Sequence, residues 1–155
     1  MQKTRKAKSG LRGFTRLYAV QKMYQQQMEN LTLQDLIDDI ARNPEVIISE
    51  DHSVSTLDVD FFKVLISETV KNITEIDKII KLHLSDKWDF ERLDIVMQNL
   101  LRLGTCELKF MQDAPDTVVF NEYVEIAKAF FETRDVSFAN GILNAIAKDD
   151  RYVKN

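Results

Sequence analysis

The chain has a single cysteine, Cys106, among 155 residues. No internal disulfide can form, and a reducing compartment is expected. The two histidines, His52 and His83, stand far apart, and no pair of cysteines or histidines has the spacing of a metal site. Four glycines and two prolines are too few for the many turns of a sandwich or barrel. They also form no glycine-rich phosphate loop. No apolar run approaches the ~20 residues of a membrane span. The basic opening MQKTRKAKSG leads into no apolar signal core, so the cytoplasm is the default location. Paired acids such as Asp38–Asp39, Glu50–Asp51 and Asp149–Asp150 point different ways on a helix and read as solvated surface. Cys106 reads as a small buried residue, since no basic partner accompanies it. No catalytic set, metal or cofactor is expected, and a catalyst is the less favoured class.

What is present is ordinary globular composition, 45% hydrophobic and 30% charged, on a length suited to one domain or two small subdomains. The net charge of −4 is unevenly spread. Residues 1–16 carry Lys3, Arg5, Lys6, Lys8, Arg12 and Arg16, six of the 21 basic residues, and none of the 25 acidic ones. A cationic arm on an acidic body predicts a polyanionic partner. Arg12 and Arg16, four apart, share a helix face, and guanidinium groups bridge phosphates bidentately. Phe14 between them reads either as a base-stacking ring or as core. The competing reading of the arm is a solubilising tail.

Apolar spacings of three and four predict seven helices and an all-α bundle. They run from about Leu11 to Met28, from a Thr32 cap to Arg42, from 56–58 to Asn72, from Thr74 to Leu84, from Glu91 to Phe110, from Pro115 through Glu132 with Phe130 facing inward, and, after a turn at Thr133 to Asp135, from about Ser137 into the 140s. The fifth is the central helix. Its stripe holds Leu93, Val96, Met97, Leu100, Leu101, Gly104 and Leu108, and Gly104 is expected to permit a close backbone approach. Arg102 and Glu107 are expected to tie this helix to Asn121 and Glu122 at the start of the sixth. Asn140 and Gly141 are expected to let the seventh pack closely, and Trp88 to plug one end of the core. Residues 43–55 read as an ordered loop, since a lone strand there would have nothing to pair with. The expected organisation is a flexible basic arm at 1–10, a helical domain at 11–150 and a tail at 151–155. Within the domain, subdomains are expected at about 11–73 and 74–150.

Four stretches together carry a resemblance: RLYAVQKMY (16–24), LRLGTCEL (101–108), FNEYVEIAK (120–128) and SFANGILNAIAK (137–148). In this order and spacing they resemble the bacterial NusB family of transcription antitermination factors. The resemblance implies an antitermination-factor bundle of about seven helices in two three-helix subdomains. It also implies a non-catalytic job: pairing with the ribosomal protein NusE, binding single-stranded boxA RNA in ribosomal RNA leader transcripts, and helping RNA polymerase read through terminators as part of an antitermination complex. For RNA it points to the basic arm, with Arg12 and Arg16, and to Lys128, Arg134 and Phe138 near the turn between helices six and seven. For NusE it points to Tyr24, Met97 and Gln98. Homodimers that mask the RNA face also fit the family. The chain departs from the family pattern at Gly13-Phe14, where consecutive arginines are usual, at Gly104 for alanine, at Cys106 for tyrosine and at Met97 for an acid. Two alternatives accompany this reading. One is a pure protein-interaction module; the other is a stand-alone relative of the domain that precedes ribosomal RNA cytosine methyltransferases. With 155 residues, no room is expected for a Rossmann domain.

Overall fold

The computed structural model describes the backbone of residues 2–47, 54–111 and 113–152, and side chains from Leu11 onward apart from those of residues 46, 47 and 55. Seven α-helices dominate the described residues: α1 Gln2–Glu29, α2 Leu33–Arg42, α3 Val59–Lys71, α4 Ile73–Leu82, α5 Ile95–Phe110, α6 Asp116–Phe130 and α7 Thr133–Lys148. The class is all-α, as the periodicity predicts. Two short strands, β1 Glu45–Ile47 and β2 Val54–Thr56, form an antiparallel hairpin. The chain divides into two compact units, Met1–Ser67 and Glu68–Asn155. This division falls within α3, a few residues before the junction expected at 73/74.

In the first unit, α1 starts nine residues before Leu11. Lys, Arg, Gln and Ala are good helix formers, and extending a nucleated helix needs no apolar stripe; the expected arm at 1–10 is therefore a helical continuation in its backbone from Gln2. The helix ends at Asn30, whose φ of 55° is left-handed. Asparagine tolerates this, and Leu31 N–H closes on Gln26 C=O at 3.2 Å, the hydrogen bond of a Schellman cap. Thr32 then opens α2 with a reciprocal cap: its Oγ1 accepts from Asp35 N–H at 3.0 Å, and its own N–H donates to Asp35 at 2.8 Å. That backbone donor holds the Asp35 carboxyl below its usual range. Tyr18 and Lys22 of α1 both reach Asp39 of α2, at 3.2 and 2.9 Å. Asp39 is thus engaged within the fold. Ala19, Val20, Met23, Leu36, Ile40, Phe61, Phe62 and Leu65 are buried.

The hairpin corrects the loop expected at 43–55. Val46 pairs with Ser55 and Ile47 with Val54, so the β-branched stretch that follows supplies the missing partner. Leu57 N–H closes its base on Pro44 C=O. His52 and the Glu50–Asp51 pair lie outside the described residues.

In the second unit, α5 packs against α4, α6 and α7, and every residue from Met97 to Leu108 is buried. It begins at Ile95, not Glu91. Asp94 caps it by accepting from Val96 N–H at 2.8 Å, and residues Phe90–Arg92 form a separate 3-10 turn. α7 begins at Thr133, not Ser137, so the stretch read as a turn is its first turn. Gly104 does allow a close approach, but of side chains: an added Cβ would lie 3.0 Å from Leu143 Cδ2 and 3.4 Å from the Tyr123 ring. Gly141 borders open space and Asn140 is exposed, so neither serves close packing. Gly104→Val places branched carbons into those contacts. Overpacking costs about 1–3 kcal/mol, which the better helix propensity of valine offsets only in part. A net loss of about 1–2 kcal/mol in urea unfolding is expected, and an unchanged midpoint would show that Leu143 and Tyr123 can give way.

Candidate nucleic-acid interface

Lys3, Arg5, Lys6 and Lys8 occupy the N-terminal turns of α1; their side chains lie outside the described residues. The next turns are well defined. Thr15 Oγ1 donates to Leu11 C=O and accepts from Asp58 N–H at 2.9 Å. Asp58 precedes α3 and caps it, accepting from Phe61 N–H at 3.0 Å through Oδ1. Its Oδ2 lies 3.6 Å from Arg12 Nε. Phe61 is buried beneath two guanidinium groups, that of Arg12 at 4.7 Å from the ring centroid and that of Arg16 at 5.1 Å. Both are at cation–π distance.

The two arginines therefore part company. Arg16 is 2% exposed and, as folded, offers RNA almost no surface. Its i,i+4 relation to Arg12 places both guanidinium groups over Phe61. The Arg12 side chain is 38% exposed and remains a candidate contact. Phe14 is half-buried.

A second cationic site lies in the other unit. Lys128, Phe131, Glu132, Thr133, Arg134 and Val136 line a cavity of about 600 Å³ at the α6–α7 turn. Arg134 is exposed with no ionic partner among the described residues. Lys128 pairs with Glu125 at 2.7 Å, an exposed contact that a phosphate can replace at little cost. The cavity opens beside the N-terminus of α7, where free N–H groups favour anions. Phe130 is 37% exposed and its ring centroid lies 6.3 Å from that of Phe131. Periodicity alone places Phe130 on the inward stripe of α6 and says nothing of Phe131. Adjacent helical residues diverge by about 100°, so an FF doublet at a helix end was the available signal that one ring must face out.

Phe138, placed by sequence near this turn, is half-buried, with its ring 4.7 Å from that of Trp88. Trp88 is 40% exposed, so the expected core plug is an aromatic pair at the surface. Of the three residues assigned to a protein partner, Tyr24 is 40% exposed, with Met28 at 59% one turn on. Met97 and Gln98 are 4% and 8% exposed, and the Gln98 amide donates to Leu93 C=O at 2.8 Å. Their side chains lend a docking partner almost no area, and the exposed face lies instead along Tyr24 and Met28.

The polar ties of the central helix also differ from expectation. Arg102 binds Asp77 of α4, through Nε at 2.8 Å and Nη2 at 2.9 Å, and not the start of α6. Glu107 accepts from the Tyr123 hydroxyl, two residues further along α6 than Asn121. Cys106 is fully buried and burial pushes its thiol up to about 12, which removes it as a nucleophile. Among the described residues, no group of three His, Cys, Asp or Glu could hold a metal ion, and no helix is long and apolar enough to cross a membrane.

A family model described as the NusB family matches residues 14–148. The transcription antitermination protein NusB of Sphingopyxis alaskensis is 41% identical over 140 residues, 90% of this chain and 94% of its own length. The protein of the same name from Caulobacter vibrioides is 39% identical, with the same coverages. Among solved structures, T. maritima NusB matches with a TM-score of 0.71 at 29% identity, covering 88% of this chain and 90% of that one. A crystal structure of antitermination factors NusB and NusE in complex with dsRNA matches with a TM-score of 0.70 at 28% identity, over 92% of this chain and 97% of that one. Matched over most of its length by the family and by relatives of this similarity, the chain belongs to the NusB family.

Proposed function

We propose that this protein is a non-catalytic, RNA-binding transcription antitermination factor. It pairs with the ribosomal protein NusE and takes boxA RNA of ribosomal RNA leader transcripts into an RNA polymerase antitermination complex. The observation that carries the reading is the cavity at the α6–α7 turn, where Lys128 and Arg134 stand with the half-buried Phe131, whose ring neighbours that of the exposed Phe130. Cations hold the phosphates but carry no sequence choice. Aromatic rings supply a stacking platform for unpaired bases. Arg12 and the basic first turns of α1 add positive charge, and the exposed Tyr24–Met28 face is the docking surface for NusE. The similarity to antitermination proteins and to a chain of the NusB–NusE–RNA complex supports both partners.

Titrating a boxA RNA and a scrambled control, with and without NusE, at two salt concentrations tests this. With NusE present, boxA binds tighter than the control. If about four phosphates are neutralised, the slope of log affinity against log salt is near −3 on single strands. Equal, weak binding of both RNAs in the presence of NusE overturns the proposal.

A further inference from the structure

We infer that Asp58 acts as a built-in competitor for the phosphate site on Arg12, so that RNA binding there exchanges one anion for another. The inference rests on the RNA-binding reading above and adds a residue that sets the strength of binding. Arg16 is buried but Arg12 keeps substantial exposure, and its Nε faces Asp58 Oδ2 at 3.6 Å, the two side chains being 38% and 32% exposed. The acid is fixed in place. Its Oδ1 caps α3 on Phe61 N–H at 3.0 Å, and its own N–H donates to Thr15 Oγ1 at 2.9 Å, a hydroxyl itself tied to Leu11 C=O. Withdrawing Asp58 would uncap α3, so the carboxylate cannot swing away from an incoming phosphate. The movable member is Arg12, whose guanidinium lies on the Phe61 ring at 4.7 Å. A phosphate must draw it off Asp58 or share it with a fixed negative charge. Counterion release, the usual driving force, is reduced at a cation already neutralised from within. Weak binding to any polyanion is thereby held down, and sequence choice is left to the aromatic site.

Asp58→Asn tests this without loss of the cap, because asparagine caps helices as well as aspartate does. A thermal melt checks that the fold is kept. An exposed ion pair is weak, so affinity for RNA is expected to rise about two- to five-fold, by the same factor for boxA and for a scrambled control. The salt slope should steepen by about 0.7. Arg12→Gln alone should weaken binding, and Asp58→Asn added to Arg12→Gln should give no gain. If Arg12→Gln weakens RNA binding but Asp58→Asn leaves it unchanged or lowers it, the competitor role is overturned and the RNA-binding reading stands. If the unaltered protein with NusE prefers no RNA, the RNA-binding reading fails and the role of Asp58 falls with it. A gain from Asp58→Asn that persists without Arg12 also overturns the exchange, since the acid would then act as a general repulsive charge.

Discussion

Asp77→Ala is expected to lower the stability of the second unit by about 3–5 kcal/mol, the cost of stranding a largely buried charge. The Arg102 side chain is 11% exposed and binds both oxygens of Asp77, at 2.8 and 2.9 Å. Its remaining terminal nitrogen donates to Asn99 at 3.2 Å, and its guanidinium lies 5.1 Å from the Phe90 ring. Asp77 itself is 22% exposed, so water can partly solvate the vacated position, which places the effect at the lower end of that range. Replacing both partners, Asp77→Leu with Arg102→Met, should recover most of the loss, because an apolar pair of similar volume leaves no charge behind. Urea unfolding followed by circular dichroism measures all three proteins. A loss below about 1 kcal/mol for Asp77→Ala would place this pair among ordinary surface contacts.

Tyr123→Phe is expected to cost about 1.5–3 kcal/mol, the range for a hydrogen bond to a charged group. The Tyr123 side chain is fully buried and Glu107 is 2% exposed. The hydroxyl donates to the Glu107 carboxylate, and removing it withdraws a donor where water cannot replace it. The ring stays, so packing against Gly104 is unchanged and the measured loss belongs to the hydroxyl. In the Glu107→Gln background the same substitution should cost less, since the carboxylate that needs the donor is gone. Equal costs in the two backgrounds would show that Glu107 relies on its other contacts.

Periodicity and caps were enough to find the helices, because an apolar stripe and a capping residue are local signals. Thr32 with Asp35 is the clearest instance: both halves of the cap lie within four residues. Partners distant in sequence left no such trace. Arg102 was seen to need an acid, but Asp77, 25 residues away, is one of many acids at helical spacing. The hairpin was missed because strand pairing is also non-local, and Val54–Thr56 alone is too short to show alternation. Arg16 misled for a different reason. A basic residue four from another implies a shared face, and nothing in the spacing says that Phe61 lies beneath that face. The start of α5 was placed four residues early because the 3-10 turn at Phe90–Arg92 continues the apolar rhythm. In the candidate site, Lys128, Arg134 and Arg12 were legible as exposed charge. Phe130 was not, since its spacing fits the α6 stripe equally well until the helix ends beside it.

The buried thiol has a practical consequence. With its acidity displaced to about 12, Cys106 holds on the order of one thiolate in 10⁵ molecules at neutral pH, and the thiolate is the form that reacts. A maleimide dye should therefore pass it by. A second cysteine introduced at Gly141, where an added Cβ meets nothing within 4 Å, would be the only readily labelled position. A fluorophore there sits on α7 itself, so RNA arriving at that helix could be followed without first removing the native sulfhydryl.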